Sequence, residues 1–447
     1  MPIRPPHISK LVHALHTLKH ASDTCTRCGM CQAKCPLYGQ TRREADTARG
    51  KLVMLNGIIE EILTDVTAFS QKMDRCLLCG SCLATCPRQI DIPRVILEVR
   101  RIISAYHGMN PLEKFFLRHI LAHPDRFHRL TLLAARGMDI LKAISHMPGT
   151  RILYDGINKK TGHRHIRPLP APFFLQTNRQ HAPSPAGCKK GKGSILLFTG
   201  CLTDTFFPHV GKAAHAILTH MGKEVVIAPN QGCCGIPALA SGDMKTFEDL
   251  VRHHVDLFST VDYEIILSPC TTCTSVLKHF WPKFMKHAPP AIQEKIRAIA
   301  QKTMDMHQYL WSHHTFDNHH GQGRDAVPVT YHAPCHLTHY MGIHAEPLKL
   351  IRSNPCYQLI EMAGTQSCCG FGGTFNLKHY PISSAIGMKK RDQIILTNAR
   401  EVITSCPACM IQLEDMFKKK EDTIVVRHIL EILLETIQNK GNTYEIL

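Results

Sequence analysis

No stretch of this 447-residue chain approaches the roughly 20 apolar residues needed to cross a bilayer, so a membrane-spanning helix is not expected. The opening MPIRPPHISKLVHALHTLKH also lacks the apolar centre of a secretory leader. The expected location is therefore cytoplasmic, with the inner face of the cell membrane as a peripheral alternative. Acidic residues are scarce: 36 Asp and Glu stand against 53 Lys and Arg, a formal net charge of +17. Such a surplus suits nucleic acid, anionic lipid or an acidic partner protein. Because the basic residues are dispersed and no nucleic-acid motif accompanies them, nucleic acid is not expected as a partner. No G-x-G-x-x-G follows a strand-like run, and the GFGG at 370–373 comes after a cysteine pair, which argues against a dinucleotide site.

Cysteine is what the chain has in excess, with 20 residues. Eight fall in two matching runs, CTRCGMCQAKCP at 25–36 and CLLCGSCLATCP at 76–87, each spaced C-x2-C-x2-C-x3-C-P. In a two-cluster ferredoxin this spacing lets three thiolates of one run and the last cysteine of the other surround each four-iron cubane. The expected sets are Cys25, Cys28, Cys31 and Cys86 for the first [4Fe-4S] cluster, and Cys35, Cys76, Cys79 and Cys82 for the second. Gly29 and Gly80 keep each loop free of a side chain where it wraps the metal. Zinc sites usually pair two Cys-x2-Cys units across a longer spacer and do not double a run of four that ends in Cys-Pro. The iron that such a pattern implies also lowers the effective positive charge, because thiolate-bound clusters are anionic. The reading is electron transfer.

Ten further cysteines repeat. Cys201, Cys233, Cys234, Cys270 and Cys273 recur about 135 positions later as Cys335, Cys368, Cys369, Cys406 and Cys409, the mark of a duplicated domain. Short apolar runs precede the cysteines in both copies: SILLFTG (194–200), EVVIAP (224–229) and YEIILSP (263–269), then VPVTYHAP (327–334), CYQLIEM (356–362) and REVITS (400–405). Helical stretches such as GKAAHAILTHMG (211–222) and MKTFEDLVRHHVDLFS (244–259) lie between them. Alternating strands and helices predict parallel sheets. Ligands of such sheets gather at the carboxyl ends of the strands, where these cysteines fall. Each C-x2-C opens a helix, whose N-terminal dipole favours thiolate.

The expected fold is therefore α/β plus α-helical: an N-terminal helical two-[4Fe-4S] ferredoxin domain, then two duplicated α/β cysteine-rich domains with parallel sheets. The ranges read from the sequence are 1–110 for the ferredoxin part, 111–193 for a helical bridge and linker, and 194–300 for the first cysteine-rich domain. A connector follows at 301–326, the second cysteine-rich domain at 327–420, and a closing amphipathic helix at 421–447. The bridge interleaves apolar residues with Arg, Lys and His over 111–154, a pattern that fits packing between domains or lying on an anionic membrane surface. Cys188 and Cys356 have no counterpart in the repeat and read as an incidental thiol and a small core residue. His332 and His336 flank Cys335.

Two ferredoxin runs followed by two C-x(n)-CCG-x(n)-C-x2-C sets resemble the iron-sulfur subunit of glycolate oxidase over nearly the whole chain. The same plan occurs in one of the subunits of heterodisulfide reductase and in one of anaerobic glycerol-3-phosphate dehydrogenase. TARGKL (47–52) and the HPDRF and LLAAR segments (123–136) look most like the glycolate-oxidase member. The resemblance implies a noncubane [4Fe-4S] cluster on each complete five-cysteine set: Cys201, Cys233, Cys234, Cys270 and Cys273, and Cys335, Cys368, Cys369, Cys406 and Cys409. Soft thiolates leave zinc open as the alternative metal there. It further implies an electron-transfer subunit that needs a separate FAD-binding 2-hydroxy-acid dehydrogenase subunit, oxidising glycolate or D-lactate, and a quinone or other carrier as acceptor. A hydroxy acid loses a hydride while a cluster takes single electrons, so a flavin has to stand between them. No flavin is expected on this chain. The alternatives are a thiol-disulfide oxidoreductase of the heterodisulfide-reductase kind and a glycerol-3-phosphate dehydrogenase subunit.

Overall fold

The computed structural model describes residues 8–145, 164–165, 167–178, 193–313 and 326–441. Cys188 and the remaining residues of the linker and the connector lie outside the described residues. The chain forms two compact units. One comprises residues 1–117 together with Gly235–Phe247 and Ser367–Lys390, and the other holds the rest.

The first unit is helical. Its longer helices are Ala48–Ile59, Val66–Asp74 and Ile92–His107, and each begins at a side chain that caps it: Thr47 accepts from the Gly50 amide, Asp65 from Ala68 and Asp91 from Arg94. The Ile92–His107 helix buries Val95, Ile96, Val99, Ile102 and Ile103 along one stripe, the spacing that an amphipathic helix needs. Each cysteine run makes a loop and then a short helix, Met30–Lys34 and Ser81–Ala84. The loops repeat in backbone conformation as well as in sequence. Arg27 and Leu78 sit at φ 55°, and Gly29 and Gly80 at φ 82° and 77°. The left-handed turns at the two glycines cost nothing sterically and aim the cysteines on either side inward.

The second unit carries both sheets, all parallel. The first has order β2-β1-β3, with β1 Ile195–Leu197, β2 Val225–Val226 and β3 Ile265–Leu267. The second has order β5-β4-β6-β7, with β4 Val327–His332, β5 Tyr357–Ile360, β6 Glu401–Thr404 and β7 Val425–His428. Residues of β1 are buried without alternation, as strands covered on both faces must be. One apolar core runs through both copies, joining Leu197, Leu267, Val329 and Ile403 of the strands to Val210, Ile217, Leu430 and Leu433 of the Pro208–His220 and Ile429–Gly441 helices. The sheet topology follows the duplicated α/β plan, and the mixed fold is the one expected.

One segment departs from expectation. Val425–His428, read from the sequence as the start of the closing helix, is β7, paired in register with Glu401–Thr404. The β-branched Val425 and Val426 favour the extended form once an edge is open beside them, and the helix begins only at Ile429. The bridge forms helices at Pro111–Phe115 and Pro124–Ser145, with a π-helical turn at Phe116–Leu121. Among the described residues no helix is long and apolar enough to cross a membrane.

Gly50 shows how tightly the first unit is built. A Cβ there would lie 2.1 Å from the Glu44 carbonyl oxygen, so the start of the Ala48–Ile59 helix can meet the Glu44–Asp46 turn only through glycine. Gly39 on the Pro36–Thr41 helix has nothing within 4 Å of the same position. Gly50→Ala is expected to cost about 1–3 kcal/mol, the usual penalty for overpacking. Gly39→Ala should be neutral or stabilising by up to about 1 kcal/mol. Urea unfolding monitored by circular dichroism on both variants checks the contrast.

Candidate metal centres

In the first unit a small, partly open cavity is lined by Cys25, Cys28, Cys31, Cys82 and Cys86, with Arg27, Arg49 and Arg88 at its wall. The last cysteine of the second run thus stands beside three of the first. Cys35 has Cys79 and Cys76 as its neighbours, and Cys82 is flanked by Cys79, Cys76 and Cys35. The structure therefore brings together the members of both expected foursomes, and Cys82 borders both groups. Burial, reinforced by the sulfurs of Cys79 and Cys76, pushes the Cys35 thiol up to about 12. Burial likewise raises Cys31 and Cys82.

Cations surround these loops, which sequence reasoning passed over. Arg49 donates to the Arg27 carbonyl at 3.2 Å and to Gln32 Oε1 at 2.7 Å, tying the first loop to the helix behind it. Arg100 is 6% exposed and spends its guanidinium on the carbonyls of Met73, Asp74, Cys76 and Ala240 at 2.8–3.1 Å. Lys51 is buried and donates to the Lys72 carbonyl at 2.7 Å. Two of these three belong to the TARGKL run, whose charges could have been flagged as lying between the two cysteine runs. Arg100 carried no such signal.

The first unit also holds Cys368 and Cys369 of the second five-cysteine set. Cys368 hydrogen-bonds to Cys79, and that contact, ahead of burial, raises the Cys79 thiol well above its ordinary value. The Gly370 amide donates to Cys368 Sγ at 3.4 Å. Gly372, at φ 58°, lies so close to the second ferredoxin run that a Cβ would come within 2.7 Å of the Leu77 side chain. The GFGG segment is thus a close-packed loop against the CLLC run.

In the second unit the first five-cysteine set converges. Cys201 follows β1, Cys233 and Cys234 follow β2, and Cys270 and Cys273 follow β3. Cys233 is hydrogen-bonded to Cys201 and Cys234, and Cys273 to Cys234 and Cys270; these bonds, then burial, raise Cys233 and Cys273 well above the usual thiol range. Gly200, at φ 67°, leaves room for Cys273, whose Sγ would be 2.7 Å from a Cβ there. The loop carrying Cys233 and Cys234 is pinned from three sides. Gln231 accepts from the Thr199 amide at 3.0 Å and donates to the Leu197 carbonyl at 2.9 Å. Trp281 donates to the Cys234 carbonyl at 3.0 Å. His254 accepts from the Gly232 amide at 3.0 Å through Nε2 while its Nδ1 donates to the Leu250 carbonyl at 2.7 Å. Burial pushes His254 down to about 3, so it stays neutral and keeps that tautomer.

Of the second set, the same unit holds Cys335, Cys406 and Cys409. His336 Nδ1 lies 3.7 Å from Cys335 Sγ, and a ring nitrogen of His332 lies within 4.8 Å of Cys409 Sγ. Cys406 caps the Pro407–Lys419 helix, where the dipole favours negative charge. It accepts hydrogen bonds from Cys270 and Cys409, with Thr272 Oγ1 3.4 Å away, and these hold it well below the ordinary thiol value despite burial. Cys270 keeps the shared proton. Sulfurs of the two copies are thus in direct contact, and the Thr271 amide donates to the Ser405 carbonyl at 3.3 Å beside them. Cys356 is exposed and stands apart from all of these groups, in place of the core position expected for it. It lies in the turn just ahead of β5.

Every described cysteine is free of a disulfide. Grouped, hydrogen-bonded thiols form a donor set that a soft cation completes, with the protons displaced as the metal enters. The residues present fit iron-sulfur chemistry on that ground.

Comparison with known proteins agrees. Residues 21–90 match the 4Fe-4S dicluster domain, and residues 195–278 and 329–414 each match the cysteine-rich domain. Lactate utilization protein A of an Exiguobacterium species is 31% identical over 245 residues, 55% of this chain and 98% of that protein. The probable glycolate oxidase iron-sulfur subunit of Bacillus subtilis is 25% identical over 93% of this chain and 94% of its own length. A fumarate reductase (CoM/CoB) subunit of Methanothermobacter marburgensis is 24% identical over 92% of this chain and 71% of its own. With a dicluster domain, a duplicated cysteine-rich domain and relatives of this kind along its length, the chain belongs to the family of iron-sulfur proteins that includes the glycolate oxidase iron-sulfur subunit and lactate utilization protein A.

Proposed function

We propose that this chain is the electron-transfer subunit of a flavin-dependent 2-hydroxy-acid dehydrogenase acting on glycolate or D-lactate. Cys25, Cys28, Cys31 and Cys86 hold one [4Fe-4S] cubane, and Cys35, Cys76, Cys79 and Cys82 the other. The two five-cysteine sets hold noncubane [4Fe-4S] clusters, with zinc as the alternative occupant. Bound clusters supply single-electron steps, so a partner subunit with FAD takes the hydride and divides it. The names of the lactate utilization and glycolate oxidase relatives favour a hydroxy acid as the ultimate donor.

The observation that carries this reading is sulfur-to-sulfur contact between groups that the sequence keeps apart. Cys79 of the ferredoxin part touches Cys368 of the second cysteine-rich copy, and Cys406 of that copy touches Cys270 of the first. Each contact, one in either unit, joins sulfurs of two different cysteine groups, which suits wiring. The residues around them position and shield: Trp281, Gln231 and His254 fix the loop of Cys233 and Cys234, and burial excludes water from the thiolates. On this reading electrons pass from the flavoprotein through the ferredoxin sites to a quinone or other carrier. Leu112 and Phe115, exposed beside Lys114, support a peripheral stay at the membrane where a quinone would be met.

A second reading rests on Cys406. A thiol held toward thiolate by Cys270 and Cys409 is the chemistry of thiol-disulfide exchange, so a disulfide in place of a quinone is the alternative substrate.

The anaerobically reconstituted chain should contain at least about eight irons, two four-iron clusters' worth, with matching sulfide. Iron and sulfide analysis with low-temperature EPR of the reduced protein checks this, and fewer irons would remove the cubane pair. The isolated chain should not reduce a dye at the expense of glycolate or D-lactate, and should do so only with a flavin-binding partner added. Turnover by this chain alone, with flavin bound to it, would overturn the division of labour.

A further inference from the structure

The two ferredoxin foursomes sit in different electrostatic surroundings. At the cavity of Cys25, Cys28 and Cys31 the cations are Arg27 and Arg88, both exposed and screened by water and salt, and Arg49, whose side chain is 22% exposed but already paired with Glu44 at 2.7 Å. The other foursome has Lys51, which is 2% exposed on the Ala48–Ile59 helix. Its ammonium donates to the carbonyls of Lys72 at 2.7 Å and Ala45 at 3.4 Å, both neutral acceptors. The charged groups that act on it are Cys76 most strongly, then Asp46, Arg100 and Cys35. Asp46 is engaged by Arg75 at 3.0 Å, so the carboxylate in the group already has a cation of its own. Burial lowers the Lys51 ammonium from its ordinary value, and Cys76 is the chief influence pulling it back. The Ala45 carbonyl that takes this ammonium is next in sequence to the Asp46 carbonyl, which lies 3.8 Å from Cys35 Sγ, so the lysine's charge is set down beside this foursome.

We infer that Lys51 is a positioning charge that sets the reduction potential of the centre held by Cys35, Cys76, Cys79 and Cys82 above that of its neighbour. This rests on the cubane assignment proposed above. Adding an electron to a thiolate-bound cluster makes it more negative, and a fixed cation in a low-dielectric interior stabilises the reduced form far more than a solvated one does. The second centre is then the lower point in energy for an electron arriving from the first. That same centre is the one whose Cys79 touches Cys368. Lys51 thus biases electrons toward the cysteine-rich copy.

The test is an anaerobic redox titration of the reconstituted full-length chain, followed by EPR, on wild type, Lys51→Met and Lys51→Arg. In wild type two four-iron signals with different midpoints are expected. In K51M the higher midpoint should fall by at least a tenfold change in the one-electron equilibrium, about 59 mV, while the lower stays within a few-fold of its wild-type equilibrium. K51R, which keeps the charge, should leave the two midpoints nearer to wild type than K51M does. Lys51→Gln keeps a donor for the Lys72 carbonyl without the charge and carries the same expectation as K51M, should the apolar variant fold poorly. Two signals with unmoved midpoints in both neutral variants would overturn the inference while leaving the cubanes in place. Equal shifts in both midpoints would also overturn it. A wild-type chain without two four-iron signals would overturn the cluster assignment itself.

Discussion

Burial disfavours the charged form of a thiol unless a cation or hydrogen-bond donors compensate, and this protein buries many thiols in groups. That constraint explains most of what the structure does. Cys35 sits near 12, and Cys79, Cys233 and Cys273 are raised by the sulfurs beside them as well as by burial. Groups of this kind gain by binding a soft cation and stand in strained company without one. The fold supplies the geometry by two separate means: left-handed turns at Gly29 and Gly80 in the helical unit, and loops at the ends of β1, β2 and β3 in the α/β unit.

Neutral groups then hold the loops, and charged ones tune them. His254 is driven to its neutral form by burial, so it can serve as a fixed acceptor for the Gly232 amide at any ordinary pH. Trp281 and Gln231 act as uncharged fasteners of the same loop. Around the ferredoxin runs the fasteners are cationic instead. Arg100 secures the carbonyls of Met73, Asp74 and Cys76, and Lys51 that of Lys72.

Much of this was legible in the sequence because spacing is a local property. Two C-x2-C-x2-C-x3-C-P runs imply that Cys86 joins Cys25, Cys28 and Cys31, and the structure puts it there. Strand-like runs ahead of each cysteine group marked the parallel sheets. What could not be read was contact between segments far apart in the chain. Nothing local says that Gly235–Phe247 and Ser367–Lys390 pack in the helical unit, or that Gly372 closes on Leu77. Val425–His428 misled for a related reason, since its apolar residues fit a helix face until β6 offers an edge to pair with. Arg100 and His254 could not be singled out in the sequence, because only burial gives an arginine or histidine its special character.

The central claim is that electrons leave the ferredoxin sites through the second cysteine-rich copy, at the contact of Cys79 with Cys368. Stopped-flow absorbance on the holoprotein with its flavoprotein partner, comparing wild type with Cys368→Ser, tests it most directly. The account predicts that the flavoprotein reduces the cubanes of the variant at the wild-type rate, while their reoxidation by the natural acceptor slows at least tenfold. Reoxidation at the wild-type rate in that variant would contradict the route.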